Sequence, residues 1–404
     1  MTQTVGDVRR VVAGRGIRAV VDGLVSVVLA RYLTELGFGP FRIGAVVTGT
    51  LIGSAALTLG VGLAGGRRSP RRLLLAASVL MIATGLGFAL VTPFWGILLV
   101  AVVGTLNPTS GDVSVFLPTE QALLAAEVGA ADRPRTYATY NLVGAVAGAL
   151  GALISVLPEP LGDAIGWSLD ATQRLSFGLY AIAGVAILLL YRGLDESPPI
   201  TSPARSRVLA TSRRTVLELS ALFSLDSAGS GFVGTSLLVL WLHLRFDLSA
   251  GATGALFFAA GLLGGASQLL AARLAPRLGL IRTMVFTHIP ANVLLALAAF
   301  APNGPVAIAL LLGRALFSQM DVPARQAFVM AVVPPEERSA AASVTNVPRS
   351  LASAATPLLA GAMLSSSTFG WPLIVAGASK TLYDVLLLAM YRSVPEVEGA
   401  SRRS

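Results

Sequence analysis

Apolar residues in this chain come in long runs, interrupted at intervals by short clusters of glycine, proline and charged residues. The runs predict twelve helical segments, at about 15–36, 42–65, 72–92, 94–128, 136–157, 172–192, 214–243, 249–273, 281–301, 304–331, 339–364 and 371–392. At 1.5 Å rise per residue, each is long enough to cross a hydrocarbon layer about 30 Å thick. One connector departs from this rhythm. Residues 193–213 are rich in Pro and Ser and carry charges of both signs, which suits an extended linker. It divides the chain into an N-terminal six-helix bundle over 1–192 and a C-terminal one over 214–404, with no soluble domain inserted. The expected fold class is all-α and polytopic.

Composition agrees with the pattern. Hydrophobic residues make up 54% of the 404 positions, charged residues 13%, and mean hydropathy is +0.74. A water-soluble surface cannot be covered with so little charge. The net charge of +9 would suggest nucleic acid as partner in a soluble chain, but here it has a topological meaning. Arginines collect around Arg9 to Arg18, Arg67 to Arg72, Arg133 and Arg135, Arg192 to Arg214, Arg273 to Arg282, Arg338, and Arg392 to Arg403. All these segments fall on one side of a twelve-span chain, while the opposite loops hold Arg42 and Arg245. The positive-inside rule then puts both termini in the cytoplasm of a prokaryotic plasma (inner) membrane, with no nucleic-acid partner. Cysteine is absent, so neither disulfides nor thiolate metal sites are available. The first residues show no removable signal peptide.

The chain also repeats itself. Around the hinge between the fourth and fifth segments, Pro118, Gln121, Asp132, Arg133 and Asn141 match Pro323, Gln326, Glu337, Arg338 and Asn346 in a single ungapped register of 205 residues. Gly53, Leu63, Ala64 and Arg71 pair with Gly264, Leu274, Ala275 and Arg282 at a spacing of 211. Each half contributes six spans, an even number, so both enter from the same side and the repeat is parallel.

Twelve spans, a 6+6 division, a long middle connector and the loop Gly60-Val61-Gly62-Leu63-Ala64-Gly65-Gly66-Arg67-Arg68-Ser69-Pro70-Arg71-Arg72 together resemble the major facilitator superfamily. That loop looks like the superfamily's G-x-L-A-D-R-x-G-R-R signature, with Gly65 in place of aspartate and Arg67, Arg68, Arg71 and Arg72 as its basic cytoplasmic cluster. Leu274 to Gly279 form a degenerate second copy. The resemblance implies the major facilitator fold and alternating access by rocking of two bundles. It also implies a substrate site between them near mid-membrane.

Charges inside the spans are costly, about 2.5–3.5 kcal/mol each on insertion scales, and need a partner or a water-lined cavity. The candidates for proton coupling and the substrate cavity are Asp22, Asp226, Asp321, Asn141, Asn346 and Arg349. Asp226 lies in the glycine-rich run Ser224 to Gly231, which is expected either to weaken the helix or to allow close packing. Asp22 has Arg18 one turn away as a possible partner. Glu120-Gln121 and Arg325-Gln326 occupy equivalent places in the two halves, and the expectation is an inter-bundle gate closed by Glu120 and Arg325. Lys380 and Asp384, four residues apart, are expected to pair within one helix. His243 and His288 receive no role. No hydrolase constellation or phosphate-cradling loop is present, so enzymatic activity and ATP-driven pumping are not expected, and no cofactor is called for.

The function these features suggest is secondary active transport of a small molecule or ion by a monomer, with proton-coupled export as the preferred mode. A divalent-metal exporter using Asp22 and Asp226, and a non-transporting receptor or scaffold of the same fold, remain the alternatives.

Overall fold

The computed structural model describes residues 2–64, 69–109, 114–129, 132–196, 211–334 and 337–391. Among them are sixteen α-helices and no strand. The first half comprises α1 (Thr2–Glu35), α2 (Pro40–Ala64), α3 (Pro70–Leu90), α4 (Phe94–Val103), α5 (Leu117–Glu127), α6 (Arg133–Ile154), α7 (Pro158–Ile165) and α8 (Leu169–Arg192). The second comprises α9 (Arg213–Phe232), α10 (Thr235–Phe246), α11 (Ala250–Leu278), α12 (Leu280–Ala298), α13 (Gly304–Ala315), α14 (Asp321–Val332), α15 (Arg338–Ser366) and α16 (Trp371–Tyr391). Fifteen of these build twelve membrane-crossing rods, and the short α7 caps the loop after the fifth. In an environment without water, helices satisfy their own backbone groups, which is why the chain contains little else.

Three rods are not single helices. The fourth breaks between α4 and α5, the tenth between α13 and α14, and the seventh bends by 41° between α9 and α10. Seven helices are long and apolar enough to cross by themselves, and α9 with α10 makes an eighth. The four other rods also carry charge: α1 has Arg18 and Asp22, α5 has Glu120, α13 and α14 have Arg314 and Arg325, and α15 has Arg349. Two of them, the fourth and the tenth, fall short of a single span because they are broken into short helices, of which α4 and α13 are themselves apolar.

The repeat is visible in the helix starts. Asp132 and Glu337 are the N-cap residues of α6 and α15, Arg133 and Arg338 begin them, and Asn141 and Asn346 fall at the same turn. Pro118 and Pro323 both lie in the first turn of the second piece of a broken rod.

Two seams join the halves, α2 against α15 and α6 against α11, which are symmetry equivalents of one another. They begin at the face opposite the linker, hereafter the far face. Four residues into α2, a Cβ on Gly44 would stand 2.5 Å from the Pro357 carbonyl and 3.0 Å from the Gly361 Cα. On the other seam a Cβ on Gly254 would meet Ser155 Oγ at 2.5 Å. Hydrogen bonds reinforce the junction: Leu358 N donates to Thr48 Oγ1 at 2.9 Å, Ser236 Oγ to the Ser26 carbonyl at 2.7 Å, and Arg31 Nη1 meets His243 Nδ1 at 2.8 Å.

Leucine at Gly361 is therefore expected to wedge this seam and lower stability by about 1–3 kcal/mol, the usual cost of overpacking. Thermal unfolding of the detergent-solubilised protein measures this. Leucine at Gly60, where a Cβ meets nothing within 4 Å, is the control, and equal losses at both positions contradict the close-seam reading.

Candidate transport site

In the first half, polar side chains converge where α1, α5, α6 and α8 meet. Arg18, on the inward face of α1, donates from Nη1 to Glu120 Oε1 at 2.6 Å and from Nη2 to Oε2 at 2.8 Å. Tyr191 Oη donates to Oε1 at 2.5 Å, and Tyr140 Oη donates to Oε2. Glu120 is 0% exposed and Arg18 is 1% exposed. The carboxylate thus has a fork-to-fork guanidinium and two phenols, an arrangement that offsets its desolvation. The Phe116 ring lies under the guanidinium at 4.5 Å.

Asp22 lies one turn along α1, also buried, and its Oδ1 accepts no hydrogen bond from the described residues. Its expected partner, Arg18, is committed to Glu120 instead. Arg15 lies over the Tyr140 ring at 5.3 Å.

The second half holds a larger network at the junction of α9, α12, α14 and α16. Asp226 accepts from Lys380 Nζ at 2.7 Å and from Arg325 Nη1 at 3.0 Å, with His288 Nε2 at 3.8 Å. Arg325 also reaches Asp321 at 3.5 Å on its own helix. His288 Nδ1 lies 3.0 Å from Asp384 Oδ1, and Asn292 Nδ2 donates to Asp384 Oδ2 at 3.0 Å. His288 thus stands between two carboxylates. Beside the network, Arg349 on α15 donates from Nε to Ser227 Oγ at 3.2 Å and from Nη1 to Asn346 Oδ1 at 3.4 Å.

Several expectations change. Glu120 and Arg325, expected to pair only when the cavity opens to the outside, are apart in this state: each is satisfied inside its own half, Glu120 by Arg18 and Arg325 by Asp226 and Asp321. Lys380 and Asp384 do not pair within α16; Lys380 turns to Asp226 and Asp384 to His288, because stronger partners lie on neighbouring helices. Nor does the glycine-rich run loosen α9, which continues through it to Phe232. A Cβ on Gly229 would strike Ser379 Oγ at 2.7 Å and Lys380 Cγ at 2.8 Å. Close packing explains these glycines. Asp22 and Asp226 lie in different halves, and no group of three metal-ligating side chains occurs among the described residues, so the metal reading loses its motive.

Of the other candidates, Asn141, Asn346 and Gln326 are exposed and Gln121 is half-buried, its carbonyl accepting from Tyr137 Oη at 2.9 Å. Arg71 and Arg72 tether the start of the linker, Arg71 Nη2 to the Arg192 carbonyl at 2.8 Å and Arg72 Nη2 to Glu196 at 3.3 Å. Arg67 and Arg68, with Gly65, lie outside the described residues. Sequence reasoning missed His288, Asn292, Tyr140 and Tyr191. The signal for the first two was present: a histidine and an asparagine four apart share one face of an otherwise apolar helix.

Comparison with known proteins agrees with this architecture. The chain is 26% identical over 423 residues to an uncharacterized membrane protein of Saccharomyces cerevisiae, YJR124C, covering 96% of this chain and 94% of that one. Among solved structures, the nucleoside transporter NupG superposes with a TM-score of 0.73 at 13% identity, covering 96% of this chain and 99% of that one. A D-xylose-proton symporter superposes at 0.75 with 16% identity, covering 97% of each. At such identities these structures share the fold and nothing finer. Residues 11–318 match the Major Facilitator Superfamily, and with twelve rods in two parallel six-helix repeats, the chain belongs to that superfamily of membrane transporters, which are not enzymes.

Proposed function

We propose that this transporter couples the movement of a small solute to protons, exporting it across the plasma membrane, and that Asp22 is the proton-carrying group. The observation that carries this reading is the bare Oδ1 of Asp22 in a buried site. A desolvated carboxyl with no ion pair of its own is best accommodated as the neutral acid, so gaining and losing a proton there disturbs little else. Asp226 is the less suitable carrier. A proton on it would strip Lys380 and Arg325 of their shared counter-ion, so its network serves better as the fixed frame of the second half.

The arginine-rich side supports a cytoplasmic linker face, and the glycine seams then close the outer face. In this arrangement the bundles 1–192 and 214–404 rock about those seams, with 193–213 as tether. Substrate and proton exchange at the cytoplasmic side in the state described here. The transporter works as a monomer.

Asp22→Asn is expected to abolish solute movement driven by a pH gradient in proteoliposomes, while solute exchange without a gradient continues. Gradient-driven accumulation at the wild-type level in Asp22→Asn would falsify the assignment.

A further inference from the structure

Within the membrane-spanning part of the second half, four basic side chains, Arg314, Arg325, Arg349 and Lys380, face three carboxylates, Asp226, Asp321 and Asp384. The pairing is uneven. Lys380 and Arg325 share Asp226, Arg325 also takes Asp321, and Asp384 is taken by His288 and Asn292. Among the described residues Arg349 bonds to the neutral Ser227 and Asn346 and to no carboxylate. Arg314 on α13 has a buried Nε with no hydrogen-bond partner among the described residues. A guanidinium in a membrane interior without a counter-ion is among the most costly groups a protein can hold, unless an anion joins it.

Arg349 is also placed to receive one. It lies eleven residues into α15, about 16 Å along the helix at 1.5 Å per residue and so near mid-membrane. The Phe223 ring has the Arg325 guanidinium on it at 5.7 Å and the Arg349 guanidinium at 5.9 Å. Two cations flanking one aromatic ring repel each other, and an anionic group near both removes that repulsion. Asn346, exposed one turn earlier on the same helix, offers a neutral hydrogen-bonding group at the edge of the site.

The first half carries a counterpart. The repeat register places Gly144 where the second half has Arg349. Gly144 has no side chain to offer, and the Arg15 guanidinium lies against it: a Cβ there would stand 2.5 Å from Arg15 Nε and 2.8 Å from Nη2. Each half thus brings one guanidinium to its equivalent seam, from α1 on α6 and from α15 on α9, each over an aromatic ring. The bases differ in origin and coincide in place.

We infer that the transported solute is an organic anion, and that Arg349 binds its carboxylate or phosphate group with Arg325 alongside and Arg15 opposite. This rests on the transporter reading and supplies its substrate class. A guanidinium fork matches both carboxylate and phosphate geometry.

Binding tests this without any proton gradient, so its failure is distinct from failure of coupling. Purified full-length protein in detergent is heated with monocarboxylates, dicarboxylates and phosphate monoesters, each beside a neutral analogue such as glycerol beside glycerol phosphate. At least one anion class is expected to raise the melting temperature, and which class does so separates carboxylate from phosphate recognition. Arg349→Gln is expected to weaken that binding about 10- to 100-fold, the loss of a charge-assisted hydrogen bond, with an unchanged melting temperature in the absence of solute. Arg349→Lys should retain part of the affinity. Should Arg349→Gln itself melt early, Arg15→Gln and the lysine variant are read in the same titration, where loss of anion binding with the unliganded protein intact supports the site. Stabilisation by neutral or cationic solutes alone, no response to any anion, or anion binding unchanged in Arg349→Gln each overturns the inference.

Discussion

Glu120→Gln is expected to destabilise the protein by about 3–5 kcal/mol, because it leaves the Arg18 guanidinium buried without its counter-ion. The amide keeps the volume but can accept from Arg18 through one oxygen, where the carboxylate uses two. Tyr140 and Tyr191 then compete for that oxygen as well. Thermal or chemical unfolding in detergent reads the loss, and Glu35→Gln provides the comparison. Glu35 pairs with Arg31 at 3.2 Å on the exposed end of α1, a setting in which an ion pair contributes at most about 1 kcal/mol. Similar losses for the two variants would show that the Glu120 network is not structural. Replacing both members of the buried pair with apolar residues, Arg18→Met with Glu120→Leu, should recover part of the stability, since no charge is then left stranded.

The second large effect is expected at Asp226. Asp226→Asn removes the one charge shared by Lys380 and Arg325 and should cost both stability and transport, in pH-driven and exchange modes alike. This separates it from Asp22→Asn, which spares exchange. Lys380→Met alone should be milder, because Asp226 keeps Arg325 at 3.0 Å. The double variant Asp226→Asn, Lys380→Met should be more stable than Asp226→Asn, by an interaction energy of about 0.5–3 kcal/mol in a double-mutant cycle. Additive losses mean that Lys380 and Asp226 do not depend on one another, and the frame assigned to them dissolves.

How far the chain could be read without its structure depends on which physical demand a residue answers. A hydrocarbon layer requires continuous apolar residues, so the helices crossing alone, such as α3, α8 and α16, were plain to within a few residues. The breaks were not. Leu316, Phe317 and Met320 interrupt the tenth rod yet remain apolar, and hydropathy does not record where backbone hydrogen bonding stops. The repeat register places Glu120 and Arg325 at equivalent points, near the starts of α5 and α14. It carries no information about the direction each side chain takes around its helix, and that direction decided the partners. His288 has no partner recognisable in the sequence, yet it lies eight residues into α12, within reach of carboxylates from two other helices. Pairings across sequence separations of about a hundred residues, such as Arg18 with Glu120, leave no local trace.

The confinement of each charge network to its own half also bears on biogenesis. Arg18, Glu120, Tyr140 and Tyr191 are all synthesised before the linker emerges, so the costly charges of the first six rods find their partners while the rest of the chain is still being made. The second network draws on α9, α12, α14 and α16, none of which needs the first half for its ion pairs. Membrane insertion can therefore proceed in two instalments, each reaching electrical balance among its own helices as far as Arg314 and Arg349 allow. What joins the halves is glycine packed on backbone together with a few hydrogen bonds, such as Thr48 with Leu358, Ser26 with Ser236 and Arg31 with His243, and this junction assembles late without taking a member from either carboxylate network.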